Sequence, residues 1–198
     1  MVHLTRISRS HSERRKEIVD AAQSLAAAEG WPSVTVRAIA ARIGCSAPAI
    51  YQYFQDKEAI LAVLAAEGEA TLTAAMEAAV EPLTGPAKRM RAALRAFWDF
   101  ALANPELYVV MFGLHSLAAR RSGASASVAP QVLQRVAGEL VEKRHSEESA
   151  QDLATRVAAT AHGFISLTLA GGIDGGPDRA IGLFQRTLEA VIKTVERG

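Results

Sequence analysis

The side chains best suited to molecular recognition cluster in the stretch between Thr35 and Phe54. Small residues near position 47 are followed by three side chains that can donate or accept hydrogen bonds, Tyr51, Gln52 and Tyr53. Small residues allow a close approach to a surface, and the longer side chains can then meet base edges in the major groove of DNA. The residue types therefore predict a surface that binds nucleic acid, provided that a folded element presents it.

Two short amphipathic helices are predicted to present that surface. Apolar residues recur at steps of three and four between positions 36 and 43, and Ile50 and Phe54 continue the pattern after a break. Gly44 lies at the break, where glycine can adopt the left-handed conformation that ends a helix and turns the chain. Ser46 is expected to cap the second helix. This layout predicts a helix-turn-helix whose second helix enters a major groove.

The flanking sequence favours this interpretation over an ordinary helical hairpin inside an all-α core. A helix is predicted from Ser12 to Glu29, and Gly30 follows it as the residue that ends it. Asp56 is expected to cap a further helix that begins at Lys57. Residues 1–57 are therefore assigned to a three-helix DNA-binding domain and residues 58–198 to a second, helical domain.

Several spaced features of residues 17–61 coincide: an alanine-rich first helix that ends in Gly30-Trp31, the segment Val34–Ala40, Gly44, and the segment Ile50–Phe54. In this combination the stretch resembles the N-terminal domain of the tetracycline-repressor (TetR) family of bacterial transcription regulators. The resemblance implies an all-α fold of about nine helices, in which a helix-turn-helix domain precedes a helical ligand-binding and dimerisation domain. The pair His162-Gly163 resembles one subgroup of regulatory domains, although Ala158 replaces the tryptophan that is usual there.

Composition and charge agree with an all-α DNA-binding protein. Hydrophobic residues make up 49% of the 198 residues and aromatic residues only 6%, which favours helices over sheets. The net charge is only +1, but residues 1–57 contain eight Lys or Arg and five acidic residues, a balance of +3, and the remainder therefore carries −2. The positive end of the chain coincides with the predicted DNA-binding surface.

The sequence predicts a soluble cytoplasmic protein. The single cysteine, Cys45, excludes an intramolecular disulfide and fits a reducing compartment. Residues 1–11 are basic and polar, which predicts a flexible arm rather than a signal peptide. No run of eighteen uncharged apolar residues is present, so no membrane association is expected. No cofactor is predicted, and no paired spacing of metal ligands is found.

The resemblance assigns roles to individual residues of the first domain. It implies that Arg37 reaches a base or a phosphate, that Gln52 reads an adenine through two hydrogen bonds, and that Lys57 contacts a phosphate. Ala38 replaces an acidic residue that would complete a capping box with Thr35. The predicted DNA-binding residues are Thr35, Arg37, Ser46, Ala47, Pro48, Tyr51, Gln52, Tyr53 and Lys57.

The last two predicted helices have apolar faces that one chain of this size is not expected to cover. Such faces usually mark an interface, and in TetR regulators the last two helices pack against those of a second copy. A homodimer would place two recognition helices on a palindromic operator in double-stranded DNA. The predicted interface consists of Leu153, Val157, Ala161, Phe164, Ile165, Phe184, Leu188 and Val191.

A small, mostly apolar effector is predicted to bind the second domain and to release the operator, which would make the protein a repressor. Aromatic residues and two histidines could line a pocket with few polar groups, although core packing would explain each of them equally well. The candidate residues are Phe97, Trp98, Phe100, Met111, Phe112, His115, His162 and Phe164. The expected mechanism is a shift between two conformations that differ in operator affinity.

Two other functions are compatible with parts of the sequence. An enzyme would need His115 or His162 beside an aspartate, but the sequence has neither a nucleophile elbow nor a phosphate-binding glycine loop after a strand, so no catalytic residue is predicted. A helical small-molecule-binding or interaction protein without operator binding is the main alternative. The DNA-facing residue types between positions 37 and 57 argue against it.

Overall fold

In a computed structural model that describes residues 2–113, 130–144 and 148–197, the described chain is all-α, as the sequence predicts. Nine α-helices and one short 3-10 helix lie in these ranges, which contain no strand. The α-helices are α1 (Val2–Glu29), α2 (Val36–Arg42), α3 (Ala47–Ile50), α4 (Lys57–Val80), α5 (Pro86–Ala103), α6 (Pro105–Phe112), α7 (Gln131–Arg144), α8 (Ala150–Leu169) and α9 (Gly176–Arg197), and the 3-10 helix is Trp31–Ser33.

The chain folds into two compact units. Among the described residues, 2–69 and 106–113 form the first unit, and 70–105, 130–144 and 148–197 form the second. The boundary falls inside α4, and α6 belongs to the first unit although it follows α5 of the second. The division at residues 57 and 58 was predicted from function rather than from packing, and it stays a prediction.

The first unit is built around α1. The predicted flexible arm is wrong for this structure, because α1 is continuous from Val2 to Glu29. No glycine or proline interrupts the sequence before Gly30, so nothing in this segment forces the helix to end earlier. Ile18, Ala22 and Leu25 lie on one buried face of α1, and α1 packs against α2, which packs against α3.

Helix α6 is part of the same unit. The indole Nε1 of Trp31 donates a hydrogen bond to the backbone oxygen of Glu106, at 3.2 Å. Gly68 of α4 lies so close to Met111 of α6 that a Cβ on Gly68 would come within 2.6 Å of the Met111 sulfur. Glycine at this position therefore allows a close crossing of α4 and α6.

The second unit is a cluster of four helices, α5, α7, α8 and α9, that pack against one another. Each contributes large apolar side chains to a common core, among them Phe97 of α5, Leu140 of α7, Val157 of α8 and Phe184 of α9. Helix α8 begins at Ala150 and is capped by the Ser149 hydroxyl, which accepts a hydrogen bond from the Asp152 amide at 3.0 Å.

Helix α4 is the one described helix whose length and composition would allow it to cross a membrane. An 18-residue window of α4 has a mean hydropathy of 1.4, and 28% of that window is buried. This is weak support for a membrane span, since a helix of a soluble protein passes the same test. The sequence-based expectation of no membrane association required a run of eighteen uncharged apolar residues. Helix α4 does not meet that criterion, because it carries Glu67 and Glu69 near its middle.

Ion pairs connect the helices of the second unit at its surface. Arg89 of α5 lies 2.5 Å from Glu139 of α7. Arg91 of α5 makes a two-point contact with Glu189 of α9, in which Nε and Nη2 of the guanidinium each donate to a carboxylate oxygen. The hydrogen bond from Arg91 lowers the pKa of the Glu189 carboxyl and raises that of the guanidinium.

Replacing Glu189 with glutamine should lower the free energy of unfolding by less than about 1 kcal/mol near neutral pH, because both side chains are more than a third exposed. The pKa of Glu189 is lower in the folded protein than in the unfolded chain. The ion pair therefore stabilises the fold above the unfolded-state pKa, and this contribution is lost as the pH falls through the folded-state pKa. Urea unfolding of both proteins at neutral pH and near pH 3 would measure the difference, which should vanish in acid.

Asp99→Asn provides the control, because Asp99 pairs with Arg95 one turn away on the same helix, at 2.8 Å, and connects no second helix. We expect a smaller effect from this substitution. Equal losses in the two variants would show that the Arg91–Glu189 pair does not hold α5 to α9.

Candidate nucleic-acid interface

The turn between α2 and α3 has the geometry that the sequence predicts. The Thr35 hydroxyl accepts a hydrogen bond from the Ala38 amide at 3.1 Å and so caps α2 without the acidic residue of a capping box. Gly44 has a φ of 66°, in the left-handed region that favours glycine. The Cys45 amide then donates to the Ala40 oxygen at 2.9 Å, which closes the end of α2.

The second helix of the motif is shorter than predicted. Helix α3 spans only Ala47–Ile50, and residues 51–53 form a turn. Ser46 occupies the N-cap position, as the sequence predicts, although its side chain makes no capping hydrogen bond. The amides of Tyr53 and Phe54 both donate to the oxygen of Ile50, which tightens the chain after the helix.

Several of the described side chains that could reach DNA are exposed in this motif. Tyr51 is 56% exposed, among the most exposed of the large hydrophobic residues, and Gln52 is exposed beside it. Ile50 and Phe54 are buried under the turn, so the exposed and buried positions alternate as the sequence predicts. Exposure is also found at Thr35, Arg37, Ser46 and Pro48, whereas Ala47, Tyr53 and Lys57 are partly buried.

Two of the predicted DNA contacts already have partners within the protein. The ammonium of Lys57 lies 3.5 Å from the backbone oxygen of Trp31. The ring of Tyr53 lies 4.7 Å from that of His11, at an interplanar angle of 40°. A shallow groove of about 240 Å³ beside Tyr53 is lined by Glu13, Arg14 and Glu17. Its two carboxylates would repel phosphates, so this side of Tyr53 is less suited to DNA than the Tyr51 side.

Sequence reasoning missed Arg15, which lies under the same turn. Its guanidinium Nη1 donates a hydrogen bond to the backbone oxygen of Tyr53, and its carbon Cζ lies 4.1 Å from the centroid of the Phe54 ring. Arg15 precedes the buried residues Ile18 and Ala22 at steps of three and seven. A cation that extends an apolar helix face is the signal by which it could have been found.

The predicted effector-binding residues do not form one group. Phe97, Trp98, Phe100, His162 and Phe164 belong to the second unit. Met111 and Phe112 belong to the first unit, and His115 lies outside the described residues. The eight-residue pocket therefore stays a prediction, and only its second-unit members can be described together.

Four of the second-unit members take part in two groups of aromatic ring contacts. The Phe97 ring meets the His162 ring edge-on at 5.1 Å. Trp98 stacks on Phe184 at 5.6 Å, and Phe164 lies 5.8 Å from the same Phe184 ring. His162 and Phe164 are partly exposed, while Phe97 and Trp98 are buried. The arrangement is that of a packed core with a partly exposed edge.

Most of the predicted dimer-interface side chains face the core of their own chain. Leu153, Val157, Ala161, Ile165, Phe184 and Leu188 are at most 4% exposed in the single chain. The expectation that one chain could not cover both apolar faces is wrong, because α5 and α7 pack against α8, and α7 and α8 pack against α9. Phe164 and Val191 are partly exposed and remain available to a second copy.

A groove of about 270 Å³ lies between α5 and α9 and was not predicted. Phe184 and Leu188 are its two residues from the predicted sets, and charged side chains from both helices surround it. Its lining residues are Arg91, Arg95, Ile181, Phe184, Gln185, Leu188 and Glu189. Among the described residues, no group of three His, Cys, Asp or Glu side chains could hold a metal ion.

Two protein-family models match the chain. The model of bacterial regulatory proteins of the tetR family matches residues 18–64, which contain α2, the turn and α3. The model of the tetracyclin repressor-like C-terminal domain matches residues 90–191, more than half of the chain. Neither description names the His162-Gly163 subgroup, which stays a prediction.

Curated relatives and solved structures agree with these models. The HTH-type transcriptional activator FasR of Mycolicibacterium smegmatis is 34% identical over 101 residues, 50% of this chain and 46% of FasR, so the chain spans about half the length of that relative. The uncharacterized HTH-type transcriptional regulator YobS of Bacillus subtilis is 30% identical over 155 residues, 77% of this chain and 78% of YobS. A solved structure of a protein of unknown function from Rhodococcus sp. RHA1 is 28% identical, with a TM-score of 0.70 over 93% of this chain and 94% of that one.

The helix-turn-helix geometry, the all-α fold and the two family matches converge on one assignment. Members of the matched family regulate transcription by binding DNA and are not enzymes. The chain belongs to the TetR family of bacterial transcriptional regulators.

Proposed function

We propose that this regulator is a homodimer that binds a palindromic operator through the edge defined by Arg37, Tyr51 and Gln52, and that it represses transcription until an effector binds. The observation that carries the proposal is the exposure of Tyr51 directly above the buried side chains of Ile50 and Phe54. A large side chain that is held by a buried turn but left exposed on its outer side is suited to contact with a partner.

The remaining predicted contacts take supporting roles. Thr35 and Ser46 lie at the N-termini of α2 and α3, where backbone amides and hydroxyls can meet phosphates. Pro48 and Ala47 are small enough for close approach of α3 to the groove. Lys57 would have to exchange its contact with the Trp31 oxygen for one with a phosphate, or stay where it is and act through that contact.

We propose that the second copy covers the accessible flank of α8 and α9, which shares only Phe164 and Val191 with the interface first predicted. Leu167 of α8 is 54% exposed, and Phe164 precedes it by three residues on the same side of the helix. On α9, Leu183, Ala190 and Val191 are accessible at steps of seven and eight. These residues are apolar, and they lie on the opposite flank of α9 from Gln185 and Glu189 of the groove toward α5.

The threonines of this face have hydroxyls that are already hydrogen-bonded within their own helices. The hydroxyls of Thr187 and Thr194 donate to the backbone oxygens of Leu183 and Ala190, at 3.1 and 2.9 Å. Thr160 of α8 does the same toward Arg156, at 2.8 Å. Because these hydroxyls are satisfied within their own helices, they could be covered by a partner without losing a hydrogen bond.

The connection between α5 and α6 offers a route from effector to operator. Asn104 is the one residue between the two helices, and its side-chain amide donates back to the Phe100 oxygen at 3.0 Å. Helix α5 carries Phe97 and Trp98 of the predicted effector-binding set, whereas α6 packs in the DNA-binding unit. An effector that changes the position of α5 would therefore pull on α6 through a very short link, and the bound state would favour low operator affinity.

Selection of bound duplexes from a random DNA pool should enrich a palindrome with wild-type protein and fail with Tyr51→Ala. The reason is that the substitution removes the most exposed contact of the DNA-facing edge. The selection should be repeated at two salt concentrations, because release of counterions from phosphates makes operator binding fall steeply with salt.

The same assay tests Arg37→Gln, which removes a predicted DNA contact. Its charge-matched control is Arg95→Gln. Both remove one positive charge, but Arg95 pairs with Asp99 in the second unit. We expect at least about tenfold weaker operator binding from Arg37→Gln and no change from the control. If the wild type and every variant bind all DNA equally weakly, the proposed function is wrong. The alternative, a helical binding protein without an operator, would then be favoured.

Leu167→Asp should convert the dimer to a monomer, because a buried carboxylate without a partner opposes association. Sedimentation velocity would measure the change in mass, and operator affinity should fall with it. Val109→Asp is the matched control, since Val109 is 46% exposed on a helix of the other unit. A monomeric wild-type protein, or a dimer that survives Leu167→Asp, would contradict the proposed face.

A compound library screened for release of the selected operator should yield neutral aromatic or aliphatic effectors. Phe97→Ala should weaken their binding more than it weakens operator binding in their absence, because Phe97 belongs to the second unit. The proposal fails if compounds that bind the second unit leave operator affinity unchanged.

A further inference from the structure

The segment that carries the DNA-facing side chains is irregular at its C-terminal end. Helix α3 ends at Ile50 after four residues, and the turn at 51–53 follows. Within the turn, the Tyr53 and Phe54 amides share the Ile50 oxygen as acceptor, at 2.9 and 3.0 Å. The last backbone oxygens of a helix have no amide partner within that helix, so they can accept a hydrogen bond from another element. Such a contact would add to the hydrogen bonds of the turn itself and stabilise one of its conformations.

Arg15 of α1 makes two such contacts at once. The edge of its guanidinium donates a hydrogen bond to the Tyr53 oxygen, while its face lies 4.1 Å from the centroid of the Phe54 ring. A planar guanidinium can use edge and face together, which an ammonium cannot do. Phe54 is buried and Arg15 is partly buried, so both contacts are shielded from water and stronger than surface contacts of the same kind.

A third contact comes from the same face of α1. His11 lies one turn before Arg15, and its ring meets that of Tyr53 at 4.7 Å. One turn after Arg15, α1 is anchored by Ile18 and Val19, both buried. The core of the first unit thus holds α1, and α1 holds the backbone and the ring of Tyr53.

We propose that Arg15 is a positioning residue for DNA recognition: it fixes the turn after α3 and thereby the directions in which Tyr51 and Gln52 point. This inference rests on the proposed operator binding. Arg15 does not itself touch the bases, and its charge is used inside the protein. Loss of Arg15 would therefore reduce discrimination between sequences more than it reduces attraction to DNA in general.

The test compares Arg15→Met with the wild type on two duplexes, the palindrome selected by the wild-type protein and a scrambled duplex of equal length. Arg15→Met should bind the palindrome at least about tenfold more weakly and bind the scrambled duplex within about twofold of wild type. The slope of log affinity against log salt on the palindrome should stay the same, because no phosphate contact is removed.

The neighbouring Arg14→Met is the charge-matched control. Arg14 also lines the groove beside Tyr53, but its guanidinium donates to Glu17 on the surface of α1, at 2.6 Å, rather than to the turn. It should keep the ratio of the two affinities. A fall of the salt slope by about 0.9 in Arg15→Met, with equal losses on both duplexes, would make Arg15 a phosphate contact and overturn the proposal.

Arg15→Lys keeps the charge on a slightly shorter side chain and covers the case in which Arg15→Met fails to fold. A lysine can donate to the Tyr53 oxygen or lie over Phe54, but it cannot do both with one rigid plane. We expect an intermediate loss of discrimination. Full discrimination in a folded Arg15→Lys variant would overturn the proposal.

Hydrogen exchange in the absence of DNA separates this inference from operator binding itself. The amides of Tyr53 and Phe54 should exchange faster in Arg15→Lys than in wild type, while those of Ala22 and Leu25 in α1 should not change. Unchanged exchange at residues 53 and 54 would show that Arg15 does not hold the turn. If the wild-type protein selects no palindrome but the Tyr53 and Phe54 amides still exchange faster in Arg15→Lys, the proposed function is wrong. The conclusion that Arg15 holds the turn would still stand.

Discussion

Burial of Ile50 and Phe54 is the constraint on which the DNA-facing edge depends. A helix of four residues gains almost nothing from its own hydrogen bonds, because forming the first turn of a helix is unfavourable. Helix α3 therefore exists only because its inner side chains complete the core that α1, α2 and the start of α4 supply. Gly44 lets the chain reverse quickly enough for this to happen, and Arg15 secures the far end. The outer side chains are free to vary because none of them takes part in that core.

In the second unit, one face of each helix is buried against the neighbouring helices. Ion pairs such as Arg91 with Glu189 select which helices lie side by side, while the core side chains supply most of the stability. The accessible flanks of α8 and α9 include apolar side chains and threonines whose hydroxyls donate to the backbone of their own helices. A surface of this kind costs little to dehydrate, which is the property that association of two copies would need.

The sequence predicted the fold class, the position of the helix-turn-helix and the caps at Thr35 and Asp56, because these depend on residues that lie close together in the chain. It did not predict where α3 ends, since Tyr51 to Phe54 continue a helical pattern and only tertiary contacts decide otherwise. It placed Leu153 and Phe184 on the outside because hydrophobic periodicity shows that a face is buried but not what buries it. Arg15 was overlooked for the same reason: its partners lie 38 and 39 positions away. The effector and the operator are separate molecules, so the sequence of this chain gives only indirect information about the contacts that they would make.

The small residues at the start of α3 would limit the number of bases that the protein can distinguish by direct contact. Alanines at positions 47 and 49 cannot hydrogen-bond to base edges, so each copy would distinguish only the few bases within reach of Arg37, Tyr51 and Gln52. A genome offers very many short sequences that match so few bases by chance. A regulator of this design would have to obtain the rest of its selectivity from the spacing of two half-sites and from how readily the DNA between them bends.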